Sequence, residues 1–363
     1  MDLTRAAFGT WNGGRFMNYG EALSDERWIE VVQHAYRQGI RTFMTADVYG
    51  SGGADELIGR ALKGLPRDSY CLVGAVGHDF YMGKREGSKG FPRFTNPELR
   101  PPNQFAEYLR MATEKSLLRC GVDKFDLLLL HNPDSTGYTS DKVWKGMDKL
   151  REAKLTERLG IAPGPANGFT LDLILNFERF GPLLEWAMII LNPLEPWPGS
   201  LVLPAAVKHD VKPGHQFGQH DHRAFRPVGW VEAGVEKLEK FRSIAEQHSL
   251  TMLQFACLWN LSQPAVKSVI PTLIQETSGK PIENKVDELA SLPDIKLSED
   301  ECAFIAEIGN NKGCMELKGA NPGHTGEPLA DKWSLTNDLE LVAQRWEVDP
   351  KADLVCTHKP AAK

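Results

Sequence analysis

The 363 residues contain no apolar run approaching the roughly 20 that a membrane-spanning helix requires. The six cysteines, at 71, 120, 257, 302, 314 and 356, include no CxxC pair. That excludes the common zinc spacings and points to reduced thiols rather than a disulfide framework. Strong charge of either sign is also missing. A net charge of −6 gives no electrostatic reason to expect nucleic acid or an anionic membrane as a partner. No basic segment followed by an apolar stretch opens the sequence, so secretion is not signalled and a cytoplasmic location is expected. Low-complexity tracts and domain-dividing linkers are absent as well. What is present is ordinary globular composition, 42% hydrophobic and 25% charged, with ample material for one large core.

Short β-rich runs alternate with helical stretches, the signature of an α/β architecture with a parallel sheet. Strands are expected at Ala6–Trp11, Thr42–Ala46, Cys71–Val76, Phe125–His131, Arg158–Ala162, Trp186–Leu191 and Ala265–Pro271. The four consecutive leucines after Asp126 fit a strand buried on both faces. Between these runs lie helical patterns. The first is capped by Ser24 and Asp25 and carries Trp28, Val31, Val32 and Ala35 at helical spacing.

Two stretches break the rhythm. Gly77–Asn103 is rich in Gly, Pro and charge and leaves the C-terminal end of the third strand, where a barrel builds its active site. In Pro193–Trp230 a seventh strand is due, yet the segment is too polar and too often broken by Pro and Gly for a buried one. That strand is expected to be displaced or absent, leaving the barrel irregular there.

The run Phe43-Met-Thr-Ala-Asp-Val-Tyr-Gly50 and its continuation through Asp55-Glu-Leu-Ile-Gly-Arg-Ala-Leu62 resemble the second strand and helix of the aldo-keto reductases. Phe8-Gly-Thr-Trp11 resembles that family's first strand, Asp126-Leu-Leu-Leu-Leu-His131 its fourth, and Ile270-Pro-Thr272 with Glu283-Asn284 its eighth strand and cofactor loop. The resemblance implies a (β/α)8 barrel over residues 1–310, with 311–363 as a tail packed on it. It also implies an oxidoreductase that uses NADP or NAD on a small carbonyl or sugar-like substrate. Carried over residue by residue, the catalytic acid matches Tyr49 and the orienting histidine His131. Cofactor contacts fall on Gly9, Thr10, Pro271, Thr272, Glu283 and Asn284. Apart from the resemblance, Lys280 beside the eighth strand suits a 2′-phosphate, Arg223 suits a carboxylate or phosphate of the substrate, and Trp11 reads as core or rim but is compatible with stacking on a sugar. The family's aspartate position holds Met44 and its lysine position Ala75. The pair that grips the nicotinamide amide reads Ala162-Pro163, and the strand-six glutamine reads Met188.

Four of the ten histidines cluster at 209, 215, 220 and 222, interleaved with Asp210 and Asp221. Imidazole with carboxylate suits a divalent metal, which makes a metal-dependent lyase, epimerase or hydrolase the alternative reading. The same residues also read as a solvated polar loop. A binding or regulatory protein on the same scaffold is the third possibility, because fold alone never determines function.

Overall fold

A computed structural model describes residues 2–17, 20–85, 90–163, 170–194, 230–263, 266–276, 280–309, 335–347 and 349–350. Six strands form one parallel sheet in sequence order: β1 (Ala7–Gly9), β2 (Thr42–Met44), β3 (Cys71–Val76), β4 (Phe125–His131), β5 (Thr156–Ala162) and β6 (Trp186–Ala187). On its other side β1 meets the C-terminal part of the chain. Ala6 bridges Val269 in parallel, with Ala7 N donating to Val269 O at 2.9 Å. The fold is a (β/α)8 barrel, and helices follow the strands as the alternation predicts: α1 (Asp25–Arg37), α2 (Gly53–Leu62), α3 (Phe105–Cys120), α4 (Ser135–Thr139), α5 (Asp141–Glu152) and α6 (Thr170–Phe180). Ser24 caps α1, its hydroxyl accepting from Arg27 N at 3.2 Å.

The two-residue period of a strand sorts side chains between two cores. Phe8, Phe43, Leu72, Leu128 and Leu130 point outward to the helices and join Trp28 and Trp144 in the main cluster. Met44, Val73, Ala75, Leu127 and Leu129 alternate with them and fill the barrel interior. By the same period His131 faces inward at the C-terminal end of β4.

Several strands are shorter than expected, for local reasons. The β1–β2 ladder ends at Gly9↔Met44, after which Asn12 N turns back to Thr10 O at 3.0 Å. β6 stops at Ala187 instead of reaching Leu191. Met188 N still donates to Ile161 O at 2.8 Å, but the next rung needs an N–H at position 163, which is proline. Of the run expected at Ala265–Pro271, residues 266–271 pair with β1 only around Val269. The expected irregularity at strand seven falls on 195–229, outside the described residues.

Farther along, α7 (Trp230–Gln247), α8 (Met252–Ser262), α9 (Ile282–Ala290) and α10 (Glu299–Gly309) follow. Phe241, Phe255, Trp259 and Ile305 build a second core among them. A last helix, α11 (Asn337–Arg345), lays Leu339, Val342 and Ala343 against Leu171 and Leu175 of α6. Its end is fastened by Arg345 and Trp346 to Glu178, at 2.6 and 2.8 Å.

Candidate active site

Tyr49 and His131 meet at the C-terminal end of the barrel. The chain leaving β2 turns sharply, with Tyr49 N bonded to Ala46 O at 3.0 Å, and three left-handed residues, Gly50, Ser51 and Gly52, carry it into α2. That turn directs the phenol toward β4. Its Oη lies 3.4 Å from His131 Nε2, with the rings edge to face at 5.5 Å. Trp11 packs on the other side of the phenol, ring centroids 4.5 Å apart. Burial, and secondarily the nearby Asp47 carboxyl, push the Tyr49 hydroxyl well above its usual range, so it stays a neutral donor at physiological pH. Burial and then the neighbouring His78 and Arg93 hold His131 well below the usual histidine range, so its ring is neutral. Nδ1 of His131 is buried and has no hydrogen-bond partner among the described residues.

Beneath this pair the barrel is apolar. Met44 and Ala75 belong to one cluster with Val73, Leu129 and Ala162, so the two positions that would carry a charge pair instead carry a methionine and a methyl group. Neither offers a cation or carboxylate to the phenol.

A compact set of buried charges lies alongside. Asp55 on α2 accepts from Thr45 Oγ1 at 2.8 Å, Ser116 Oγ at 2.7 Å and Arg119 Nη2 at 2.9 Å. Asp79 pairs with Arg100 in the same fashion. Asp47 is left over. It is fully buried, neither carboxyl oxygen has a well-formed hydrogen bond among the described residues, and burial followed by the Asp55 charge pushes it well above the usual carboxylate range.

The expected cofactor residues divide into two groups. Gly9 and Thr10 sit next to the Ile270–Thr272 segment: a Cβ on Gly9 would stand 3.2 Å from the Ile270 side chain, and Gly13 N donates to Leu273 O at 3.0 Å. Thr10 is fully buried with Oγ1 unpartnered. Pro271 and Thr272 are half-buried there. At the far end Asn284 is exposed, and Lys280 is exposed with Nζ 3.6 Å from Glu276. Glu283 is engaged elsewhere: both its oxygens bind the Arg27 guanidinium of α1, one at 2.6 Å. A partner 256 positions away leaves no local trace in the sequence.

Arg223, His209, His215, His220 and His222 lie outside the described residues. Among those described, no three His, Cys, Asp or Glu side chains converge as a metal site. Sequence reasoning missed His78, Arg93 and Asn132, which surround His131. His78 and His131 rings stand 5.3 Å apart, and Asn132 Nδ2 lies 3.2 Å from His78 Nε2. They come from two loops that only the fold brings together.

A family model described as "Aldo/keto reductase family" matches residues 6–163. The "Probable aldo-keto reductase 1" of Glycine max is 25% identical over 325 residues, which cover 83% of this chain and 85% of that protein. The "Probable voltage-gated potassium channel subunit beta" of Arabidopsis thaliana is 23% identical, covering 83% of this chain and 93% of that protein. Among solved structures, an aldo/keto reductase from Klebsiella pneumoniae in complex with NADP and acetate superimposes with a TM-score of 0.57. It is 19% identical and covers 91% of this chain and 96% of that chain. The likeness to solved aldo/keto reductases is one of barrel fold, and the family match covers residues 6–163, the part of the chain that carries Tyr49 and His131. One of these relatives is named as a reductase and another as a channel subunit, so the side chains of the site carry the functional argument.

Proposed function

We propose that this protein is an NAD(P)(H)-dependent oxidoreductase of aldo-keto reductase type, interconverting a carbonyl and an alcohol in a small or sugar-like molecule. The observation that carries the reading is the contact of Tyr49 Oη with His131 Nε2, two neutral groups at the barrel mouth walled by Trp11. A bound reduced nicotinamide supplies hydride to the carbonyl carbon. Tyr49 Oη gives its proton to the carbonyl oxygen, and neutral His131 holds that oxygen in line. Trp11 excludes water from one side of the phenol.

The residues present fit such a cofactor unevenly. Met44, Ala75, Ala162 and Met188 offer an apolar floor that suits a planar ring, and the buried, unpartnered Thr10 Oγ1 is a free polar atom beside Ile270–Thr272. Lys280, beside Glu276, and Asn284 are exposed where the adenosine end would lie, with Glu283 fixed by Arg27. Ala162 and Pro163, however, provide no side-chain donor for a carboxamide.

The remaining assignments are proposals of the same kind. Residues 311–363 form a tail on the barrel, which the packing of α11 on α6 supports. A cytoplasmic location accords with reduced thiols at Cys71, Cys120 and Cys302. No helix among the described residues is long and apolar enough to cross a membrane.

The test is paired. NADPH and NADH binding is followed by fluorescence, and carbonyl reduction is assayed in the native protein and in Tyr49→Phe. The reading requires nicotinamide-dependent turnover that Tyr49→Phe lowers by at least a hundredfold, within the range general acids contribute. Full activity in that variant overturns it.

A further inference from the structure

Arg93 is a half-buried cation with no carboxylate at ion-pair distance among the described residues. It rises from the long loop after β3, which folds back as a short antiparallel pair: His78 bridges Arg93, Asp79 N donates to Pro92 O at 2.8 Å, and Phe94 N to Gly77 O at 3.0 Å. A Cβ on Gly77 would stand 2.2 Å from His131 O, so the residue there must be glycine for the loop to lie so close to β4. The buried Asp79–Arg100 pair and the Tyr108 hydroxyl, 2.8 Å from His78 O, anchor the described parts of the loop, 77–85 and 90–103. Arg93 is therefore presented at a fixed place beside the ends of β3 and β4.

Its bonds do not satisfy it. Nε donates to Asn132 O. Nη1 lies 3.0 Å from His78 Nδ1 and 3.4 Å from Phe91 O, but Phe91 O is also 2.9 Å from that same Nδ1. One ring nitrogen cannot both donate to the carbonyl and accept from the guanidinium, so one of these contacts is unmade in either tautomer. Nη2 has no partner among the described residues, and no carboxylate there stands within 4 Å of the guanidinium. Asp134, whose charge reaches Arg93, has its oxygens bonded to Thr95 Oγ1 and Gly137 N at 2.7 and 2.8 Å. The two nearby histidines are neutral and compensate nothing. A second atom in the same place is also unmatched: His131 Nδ1, on a residue 3% exposed. A half-buried guanidinium with no anion beside it among the described residues is incompletely compensated, and a ligand that brings an anion would complete the site.

We propose that Arg93 receives a carboxylate of the substrate, so that the carbonyl compound handled at Tyr49 is an oxo-acid. One guanidinium with Nη2 unpartnered among the described residues, and Nη1 incompletely satisfied, matches a monoanionic, planar carboxylate. A phosphate dianion would call for a second cation, and the neighbours here are neutral histidines and an asparagine. The carboxylate site stands on Arg93 by itself; the oxo group rests on the reductase reading.

Binding to the full chain, with no nicotinamide added, is measured by calorimetry and by the ring signals of His78 and His131. The probes are 4-oxopentanoate, 5-oxohexanoate and 6-oxoheptanoate, each against its neutral amide, with inorganic phosphate alongside. At least one acid is expected to bind ten- to about a hundredfold more tightly than its amide, the range of a charged hydrogen bond. Arg93→Met is expected to erase that preference and Arg93→Lys, which keeps the charge without the fork, to reduce it. If Arg93→Met does not fold, the Lys variant decides. Equal binding of acids and amides, no binding of any acid, an undiminished preference in the folded variant, or tighter binding of phosphate each overturns the proposal. Turnover of the same compounds with NADPH is scored separately. Acid-selective binding without turnover leaves the carboxylate site standing and removes the reductase reading; turnover without selectivity does the reverse.

Discussion

Arg119 is bonded to Asp55 at 2.9 Å and leaves Asp47 buried in the same cluster, with neither oxygen paired among the described residues. Two arginines, Arg119 and Arg100, thus answer two of three aspartates, and the third is neutral only if it keeps its proton. Asp47 has a raised folded pKa, so between the unfolded carboxylate value, about 4, and that raised value the native state binds the extra proton. Its contribution to stability therefore falls as pH rises through this window. Asp47→Asn should remove the slope, so that its stability relative to the native protein improves from pH 4 to pH 8 in denaturant titrations. Asp55→Asn should instead lose about 3 kcal/mol, since it strips Arg119 of its partner. A reversed ranking of the two variants would contradict this account of the cluster.

His78 gives a second pH dependence, of opposite sense. Burial first, and then Arg93, push it down to about 4, while the unfolded ring titrates near 6.5. The folded state is thus penalised as pH falls from about 6.5 toward 4, because only the unfolded chain takes up the proton. His78→Gln should flatten that part of the melting-temperature profile. An unchanged acid slope in the variant would mean that other groups cause it.

Activity should be flat where these groups do not ionise. Tyr49 is raised above its ordinary range and His131 lowered below its own, so neither changes charge between pH 7 and 9. The expected kcat/KM profile has no inflection in that interval. An inflection there that disappears in His131→Asn would show that the histidine titrates in the working range.

The apolar pair under the phenol predicts a coupled response. Met44→Asp or Ala75→Lys alone buries an unpaired charge in the barrel interior and should lower stability by several kcal/mol, roughly 3. The double variant should recover at least about 1 kcal/mol of coupling and lower the Tyr49 pKa through the new ammonium. Strict additivity would mean that the two side chains do not meet.

Nicotinamide should be held weakly. Ala162, Pro163 and Met188 remove about three hydrogen bonds, each contributing about 0.5–1.5 kcal/mol, which amounts to one to three powers of ten in affinity. Fluorescence titration is expected to give an NADPH Kd above about 1 μM. Sub-micromolar binding would show that other residues compensate.

The sequence by itself determined the barrel. Near-continuous apolar runs in Cys71–Val76 and Phe125–His131 mark strands buried on both faces, and helical spacing around Trp28 marks α1, because local patterning is a property of the chain. Tyr49 and His131 were legible too, since each ends a strand inside a recognisable run. The substitutions at Met44 and Ala75 could likewise be read by register. Tertiary structure alone decided which charges meet. Arg27 reaches Glu283 across 256 positions, Arg119 chooses Asp55 over Asp47, and Arg93 arrives beside His78 and Asn132 without a carboxylate. Coulombic pairing and desolvation depend on distances through space that no local pattern encodes, and so the unpaired groups of this site appear only once the chain is folded.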